Sequence, residues 1–442
     1  MHKEPECSLC ILYGCLEKEI LFQSSNRKGM LLIKILHTAD VHLDSPLRSL
    51  ATRNSELRDI VATATRTSFS QLVDFAISEA VAALLIAGDL FDGKERSART
   101  GAFLTAELAR LGEAGIRVFY IKGNHDAENP ITGTLDLPSH VHVFDARGGS
   151  EQLTDDVWIH GVSFADRHAP DSLLPRFKAP IPGALNIAML HSSLGGAAGH
   201  DIYAPCSVAD LANMGFDYWA LGHIHKRQVH SEAPWVVMPG IPQGRDIGEA
   251  GQKSATLLMI ENGRIEVTDV PTSVVEFAHI ELDISGADSD EVLRGLLKTS
   301  LTTTRSAASA PACVTRLTLT GRPARHWHFM RDRDVWAEQV NDLAEAIGDI
   351  WIDKLVFDLL PPTTAADTNS AADELAVTMA AIREEPGFVA SAREEIETIL
   401  QELPVALRDK LVADESAQDA LLDRLTKAGS ELVLAQMKGA GN

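Results

Sequence analysis

Five short apolar runs, each followed by a cluster of Asp, Asn or His, constrain this chain more than any other feature. The runs are Leu31–Leu36, Ala82–Ala87, Val118–Ile121, Ile187–Leu190 and Tyr218–Leu221. Between the first two, Leu57, Ile60, Val61, Ala64, Leu72, Phe75 and Ala76 recur at helical spacing, and Leu104, Leu108 and Leu111 do so before the third. Short strands alternating with helices predict an α/β fold. In such sheets the loops at the carboxyl ends of the strands converge, and ligands bind there. The chain leaves its five runs through Asp40-x-His42, Gly88-Asp89-x-x-Asp92, Gly123-Asn124-His125-Asp126, His191 and Gly222-His223-x-His225.

These residue types suit a pair of divalent ions. Carboxylate, imidazole and amide oxygen favour manganese, iron or zinc, and without thiolates the set is no closed structural zinc site. Two ions sharing a bridging carboxylate can clamp both oxygens of an in-line phosphoryl displacement. Asp89, on a strand expected to lie centrally, is the natural bridge. Gly88, Gly123 and Gly222 permit tight turns and close approach of backbone to metal or phosphate. A lone Asp-x-His is weak and a lone Gly-Asp-x-x-Asp modest; the five clusters in this order carry the inference. His37, His160, His200, His230 and the Arg325-His326-Trp327-His328 cluster are read as structural.

The motifs resemble the calcineurin-like metallophosphoesterase superfamily, and within it the bacterial SbcD-type DNA repair exonucleases of the YhaO-like branch. The stretch His37–Leu47, together with Tyr203-Ala204-Pro205, Gly215–His225 and Gln243-Gly244-Arg245, carries that likeness. It covers residues 31–260 well, the next segment by position only, and the last 80 or so hardly at all. The resemblance implies a β-sandwich flanked by helices. It also implies one ion held by Asp40, His42, Asp89 and His225, and a second by Asp89, Asn124, His191 and His223, with manganese the expected metal. His125 would protonate the leaving oxygen, oriented by Asp126, because histidine can donate a proton near neutral pH. A hydroxide on the ions would be the nucleophile. Asp92, where archaeal and eukaryotic relatives commonly carry His, joins His125 and Asp126 among the catalytic candidates. Gly93 replaces the Arg that grips a terminal phosphate in phosphoprotein phosphatases, which counts against that activity. Gln252-Lys253-Ser254 departs from the glycine-bearing version expected in the family and puts a role near Arg245 in doubt.

The implied function is a two-metal DNA nuclease in repair. A small-nucleotide phosphodiesterase or pyrophosphatase is the second reading, and a non-catalytic docking scaffold the third, though a scaffold is expected to have lost ligands. DNA is the expected substrate, contacted by Lys94, Arg96 and Arg99 and then Lys226 and Arg227. An SMC-like coiled-coil ATPase is the implied partner; a homodimer is compatible. The formal charge of -22, from 40 Lys+Arg and 62 Asp+Glu, excludes a basic nucleic-acid coat. It leaves room for a nucleic-acid enzyme, since bound cations or a local patch can meet phosphate.

Domain boundaries follow the pattern. Residues 1–29 are read as a non-essential extension; Cys7, Cys10 and Cys15 with His2 offer a weaker zinc alternative. Residues 30–272 form the phosphoesterase domain. Residues 273–362 show a βαβαβ order (strands Phe277–Ile284, Val314–Thr320 and Lys354–Leu359) and form a small α/β cap. Residues 363–442 form a linker and helical tail, where 15 acidic face 7 basic residues over 361–442. Sparse cysteines, no secretory signal and no apolar run of about 20 residues point to a cytoplasmic protein without a membrane segment.

Overall fold

The computed structural model describes residues 32–45, 55–93, 97–129, 135–195, 203–362, 371–412 and 414–439. The readings made for residues 1–29, for the linker 363–370 and for Lys94, Arg96 and His200 lie outside the described residues. The chain divides into two compact units between Glu276 and Phe277.

The first unit contains twelve described strands: β1 (Ile33–Thr38), β2 (Ala83–Ala87), β3 (Arg117–Ile121), β4 (Val141–Val143), β5 (Gly149–Thr154), β6 (Val157–Val162), β7 (Leu185–His191), β8 (Tyr218–Gly222), β9 (Gln228–Glu232), β10 (Trp235–Met238), β11 (Ser254–Glu261) and β12 (Arg264–Pro271). They form two six-stranded sheets, ordered β12-β11-β1-β2-β3-β4 and β5-β6-β7-β8-β10-β9. In the first, β1 to β4 run parallel, and β11 and β12 are antiparallel.

The sheets pack face to face. β2 reads Ala-Leu-Leu-Ile-Ala and is buried throughout because both its faces are covered. Ala83, Leu85 and Ala87 point between the sheets with Ile187, Met189 and Ala220. Leu84 and Ile86 point the other way, onto Phe69, Leu72, Leu104 and Leu108 of the helices Ser55–Ser78 and Ala98–Glu113. This two-sided burial explains why the parallel strands appear as continuous apolar runs. His37 on β1 bridges the sandwich: Nδ1 lies 3.0 Å from the Tyr218 hydroxyl and Nε2 3.0 Å from the Leu221 carbonyl. Burial lowers its pKa to about 3, so the ring is neutral, in line with the structural reading.

The second unit carries β13 (Val275–Asp283, from its third residue on), β14 (Ala312–Gly321) and β15 (Ile350–Leu359) in that order in one sheet. The helices Asp290–Ala307 and Arg333–Ile347 bury Leu293, Leu297, Leu301, Trp336 and Val340 in its core. Four further helices follow from Ala371 to Gly439. The last, Glu415–Gly439, packs its end on the short helix His326–Arg331: Arg331 donates to the Gly439 carbonyl, and the Lys438 ammonium lies 5.0 Å over the Trp327 ring. No helix among the described residues is long and apolar enough to cross a membrane.

Candidate metal centre

Register aligns the strand ends. Thr38 pairs with Ile86, Ala87 with Ile121, and His191 with Gly222. The loops leaving β1, β2 and β3 in one sheet and β7 and β8 in the other therefore start at matched levels. All ten residues singled out from the sequence converge there or immediately behind.

Four of them have left-handed backbone: Asp40 (φ 53°), His42 (φ 44°), Asp89 (φ 51°) and His223 (φ 101°). Each such non-glycine residue costs about 1–3 kcal/mol and persists only where its surroundings impose it. Here they do. Asp40 N–H donates to the Gly88 carbonyl at 2.9 Å and His42 N–H to the Asp89 carbonyl at 3.1 Å. His223 N–H donates to the Asp40 carboxylate at 2.9 Å. A Cβ at Gly123 would collide with the Asp89 carboxylate, and one at Gly222 with the Ala87 carbonyl. Those glycines are needed for close approach.

Three ligand-type groups result among the described residues: His42, Asp92 and His125; Asp40, His42 and His225; and Asp89, His191 and His223, each with its ligand atoms within 4.8 Å of one another, the last two matching the sets expected to hold ions. Asp89 Oδ2 lies between them, 3.3 Å from His191 Nε2 and 4.0 Å from His42 Nε2. Asn124 Oδ1 reaches His191 Nε2 at 3.1 Å. His42 and His225 present Nε2 atoms to each other at 3.2 Å. Two of the opposite ring nitrogens are hydrogen-bonded outward, and the third stands near a carboxylate. His191 Nδ1 is 2.9 Å from the Ala87 carbonyl, His225 Nδ1 is 2.6 Å from Glu249, and His42 Nδ1 faces Asp92 at 3.5 Å. An anchored Nδ1 fixes the tautomer and turns the Nε2 lone pair inward, as metal-binding histidines require.

The electrostatics suit a cation. Burial lowers the His42 pKa to about 4, so its ring is neutral. Burial pushes Asp40 up to about 6, against the pull of His191 and His225. Burial also opposes ionisation of Asp89, yet His191 foremost, then His42 and His125, hold it below the ordinary carboxylate range. Burial would lower His191, but the Asp89 charge outweighs it and raises the pKa to about 9. A proton on His191 thus neutralises charge that a divalent ion would otherwise balance.

Asp126 is placed differently from the sequence expectation. Its carboxylate accepts from the Gly123 and Phe91 backbone N–H groups at 3.1 and 3.0 Å. It caps the short helix Asn124–Glu128 and ties β3 to the loop after β2. The carboxylate facing His125 Nδ1 is Asp92, at 3.7 Å. Asp92 in turn sits against His42 and His125, and the closeness of His42 foremost lowers its pKa to about 2.

Sequence reasoning missed Glu249. It lies 24 residues after His225 in the one-turn helix Ile247–Glu249, with no periodicity or motif to mark it. Arg245, noticed only through resemblance, sits beside it: the guanidinium is 3.3 Å from Glu249 Oε1 and 3.3 Å from His225 Nδ1. Together with Asp89, His125, Lys226 and Lys253 these residues line a cavity of about 600 Å³. Of the sequence's DNA-contact candidates, Lys226 is exposed on this cavity and Arg227 is held by the Thr256 hydroxyl.

Comparison with known proteins settles the family. The calcineurin-like phosphoesterase family matches residues 33–227. The middle domain of the metallophosphoesterase YhaO matches residues 277–360. YhaO of Bacillus subtilis (strain 168) is 35% identical over 295 residues, 65% of this chain and 72% of that protein. The chain belongs to the calcineurin-like metallophosphoesterases. That membership places it among hydrolases of phosphoester bonds. The DNA double-strand break repair protein Mre11 of Sulfurisphaera tokodaii is 30% identical over 205 residues, and that of Saccharolobus solfataricus 28% over 205 residues. Each of those matches covers 44% of this phosphoesterase and 50% of the relative, so the chain spans about half the length of these Mre11 proteins.

Proposed function

We propose that this protein is a DNA nuclease of two divalent ions, most suited to manganese, acting in DNA repair in the cytoplasm. The observation that carries the reading is the pair of ligand groups around Asp89, in which His191 and His225 are held by hydrogen bonds at Nδ1 and turned inward at Nε2. The kinship with proteins named for double-strand break repair supports DNA as the substrate.

Asp40, His42, Asp89 and His225 would hold one ion, and Asp89, Asn124, His191 and His223 the other. When bound, such ions polarise the phosphodiester and supply a nucleophile at neutral pH. The chain's own residues do the rest. Glu249 and the Ala87 carbonyl keep the His225 and His191 rings in one tautomer. His125 donates a proton to the leaving oxygen, with Asp92, not Asp126, orienting its ring. Asp126 keeps the Gly123–His125 turn in shape through the backbone.

Substituting Asp89→Asn or His125→Gln tests the reading. Both variants should lose manganese-dependent release of nucleotides from linear DNA while keeping their circular dichroism. Full activity in either would end the assignment. Comparing linear DNA with cyclic nucleotides at equal manganese separates a nuclease from a small-nucleotide phosphodiesterase.

The partner we infer is an SMC-like coiled-coil ATPase, docked on the helices from Ala371 to Gly439. Ile399, Leu407, Leu425 and Leu432 are exposed there, although Ile396, Leu400, Leu421 and Leu422 pack together. Polar substitution of the exposed four should abolish co-purification with such an ATPase and leave the melting temperature unchanged; retained co-purification would reject this docking surface.

A further inference from the structure

We propose that Arg245 grips the phosphate next to the scissile one on the substrate strand, so that the site is built for a polyanionic chain and not for an isolated diester. The proposal rests on the nuclease reading and deepens it.

Position is the first argument. Arg245 Nη2 lies 3.3 Å from His225 Nδ1, on the outer edge of that ring, while His225 Nε2 faces the ligand groups. Its Nη1 is 3.9 Å from Asp92 Oδ1, again on the outer side of His42. A whole imidazole therefore separates the guanidinium from the point where the ligand atoms converge. That offset sets it beyond the phosphate held there and within reach of a neighbouring one.

Preorganisation is the second. Glu249 receives Arg245 twice: the backbone N–H donates to Oε2 at 2.7 Å and Nη2 to Oε1 at 3.3 Å. The same Oε1 holds His225. One carboxylate thus fixes the guanidinium relative to the ligand ring. The side chain is 26% exposed and lines the 600 Å³ cavity, and its Nη1, 3.9 Å from Asp92, lies beyond hydrogen-bond reach of that carboxylate. A planar guanidinium with unspent donors matches phosphate oxygens in a way a bare ammonium does not.

Charge is the third. In a chain of net charge -22, the wall of this cavity carries three cations, Lys226, Arg245 and Lys253, against the two carboxylates Asp89 and Glu249. Gly93, directly after Asp92, offers no side chain, so the cation beside Asp92 comes from a distant loop.

The test compares the full chain with its R245Q and R245K forms in manganese, on single-stranded oligothymidylate and on bis-p-nitrophenyl phosphate, which has no neighbouring phosphate. R245Q should lose at least about tenfold more kcat/KM on the oligonucleotide than on the small diester, as expected for one bidentate phosphate contact. Binding of oligothymidylate in calcium, followed against salt, should have a log–log slope shallower by about 0.7, the contribution of one single-strand phosphate. R245K, which keeps the charge, should keep the slope. Equal losses on both substrates, or an unchanged slope in R245Q, would overturn the proposal and leave Arg245 as a brace for His225. An unsubstituted protein that turns over the small diester but not the oligonucleotide would overturn the nuclease reading, and this proposal with it.

Discussion

The chemistry of single residues here is set by what stands behind them. His42, His191 and His225 differ in their outer partners (a carboxylate, a backbone carbonyl and a second carboxylate), yet each partner leaves Nε2 free to face Asp40 and Asp89. Glu249→Gln should loosen His225 and reduce manganese affinity by about 10- to 100-fold, the usual cost of losing a partner behind a metal-binding histidine. Isothermal titration with manganese checks it. The pH dependence follows from His191 and Asp40. Against burial, Asp89 holds the His191 pKa up at about 9, so below that pH an incoming ion must displace a proton. Burial holds Asp40 at about 6, so a second proton is displaced below that value. Manganese affinity should therefore rise with pH, by about tenfold per unit between pH 6 and 9 and more steeply below 6. Titrations in buffers of different ionisation enthalpy would count the released protons. A flat profile would contradict the charge state assigned to His191.

At the level of elements, the parallel strands act as levelled posts. The ends of β1, β2 and β3 lie side by side in one sheet and those of β7 and β8 in the other, so one-residue changes in their loops are felt across the sandwich. Gly222 ends β8 against the Ala87 carbonyl of β2, the same oxygen that anchors His191. Gly222→Ala should force the two strand ends apart and destabilise the protein by about 1–3 kcal/mol, as overpacking does. The midpoint of urea unfolding reports it. Five strands and their clusters were legible from sequence because two-sided burial turned them into continuous apolar runs. β5 and β9 were not: they are polar edge strands, partly or fully exposed, whose residues carry no alternation to read. β6 was hidden by His160 and Gly161 inside an otherwise apolar stretch; in the fold His160 is satisfied by Asn186 at 2.9 Å.

Over the whole molecule, the acidity seen in composition is unevenly used. Asp40 and Asp89 are buried side by side with imidazoles in the first unit, where an ion is the natural counter-charge. Adding manganese to chelator-treated protein should raise its melting temperature, since a ligand at 100 times its Kd adds about 2.7 kcal/mol. Asp89→Asn should abolish most of that shift in the same thermal scan. The acidic C-terminal helices serve another purpose: they pack on one another through Ile396, Leu400, Leu421 and Leu422, and Arg331 and Trp327 hold the last turn of the helix Glu415–Gly439. Cutting the chain before Ala371 would therefore remove packing as well as the proposed docking surface, which is why point substitutions are the cleaner probe.

The sequence alone determined the α/β alternation, the five strand-end clusters and the kind of ion they suit, because these depend on local spacing and on the donor chemistry of Asp, Asn and His. Only the tertiary structure decided which carboxylate serves which ring. Asp126, next to His125 in the chain, is turned to the backbone of Gly123 and Phe91, while Asp92, 33 residues earlier, faces the ring. Glu249 and Arg245 reach His225 from a loop that no short-range pattern marks. Adjacency along a chain says which residues share a turn; which side of that turn each side chain leaves by is set by the backbone hydrogen bonds and packing of the finished sandwich.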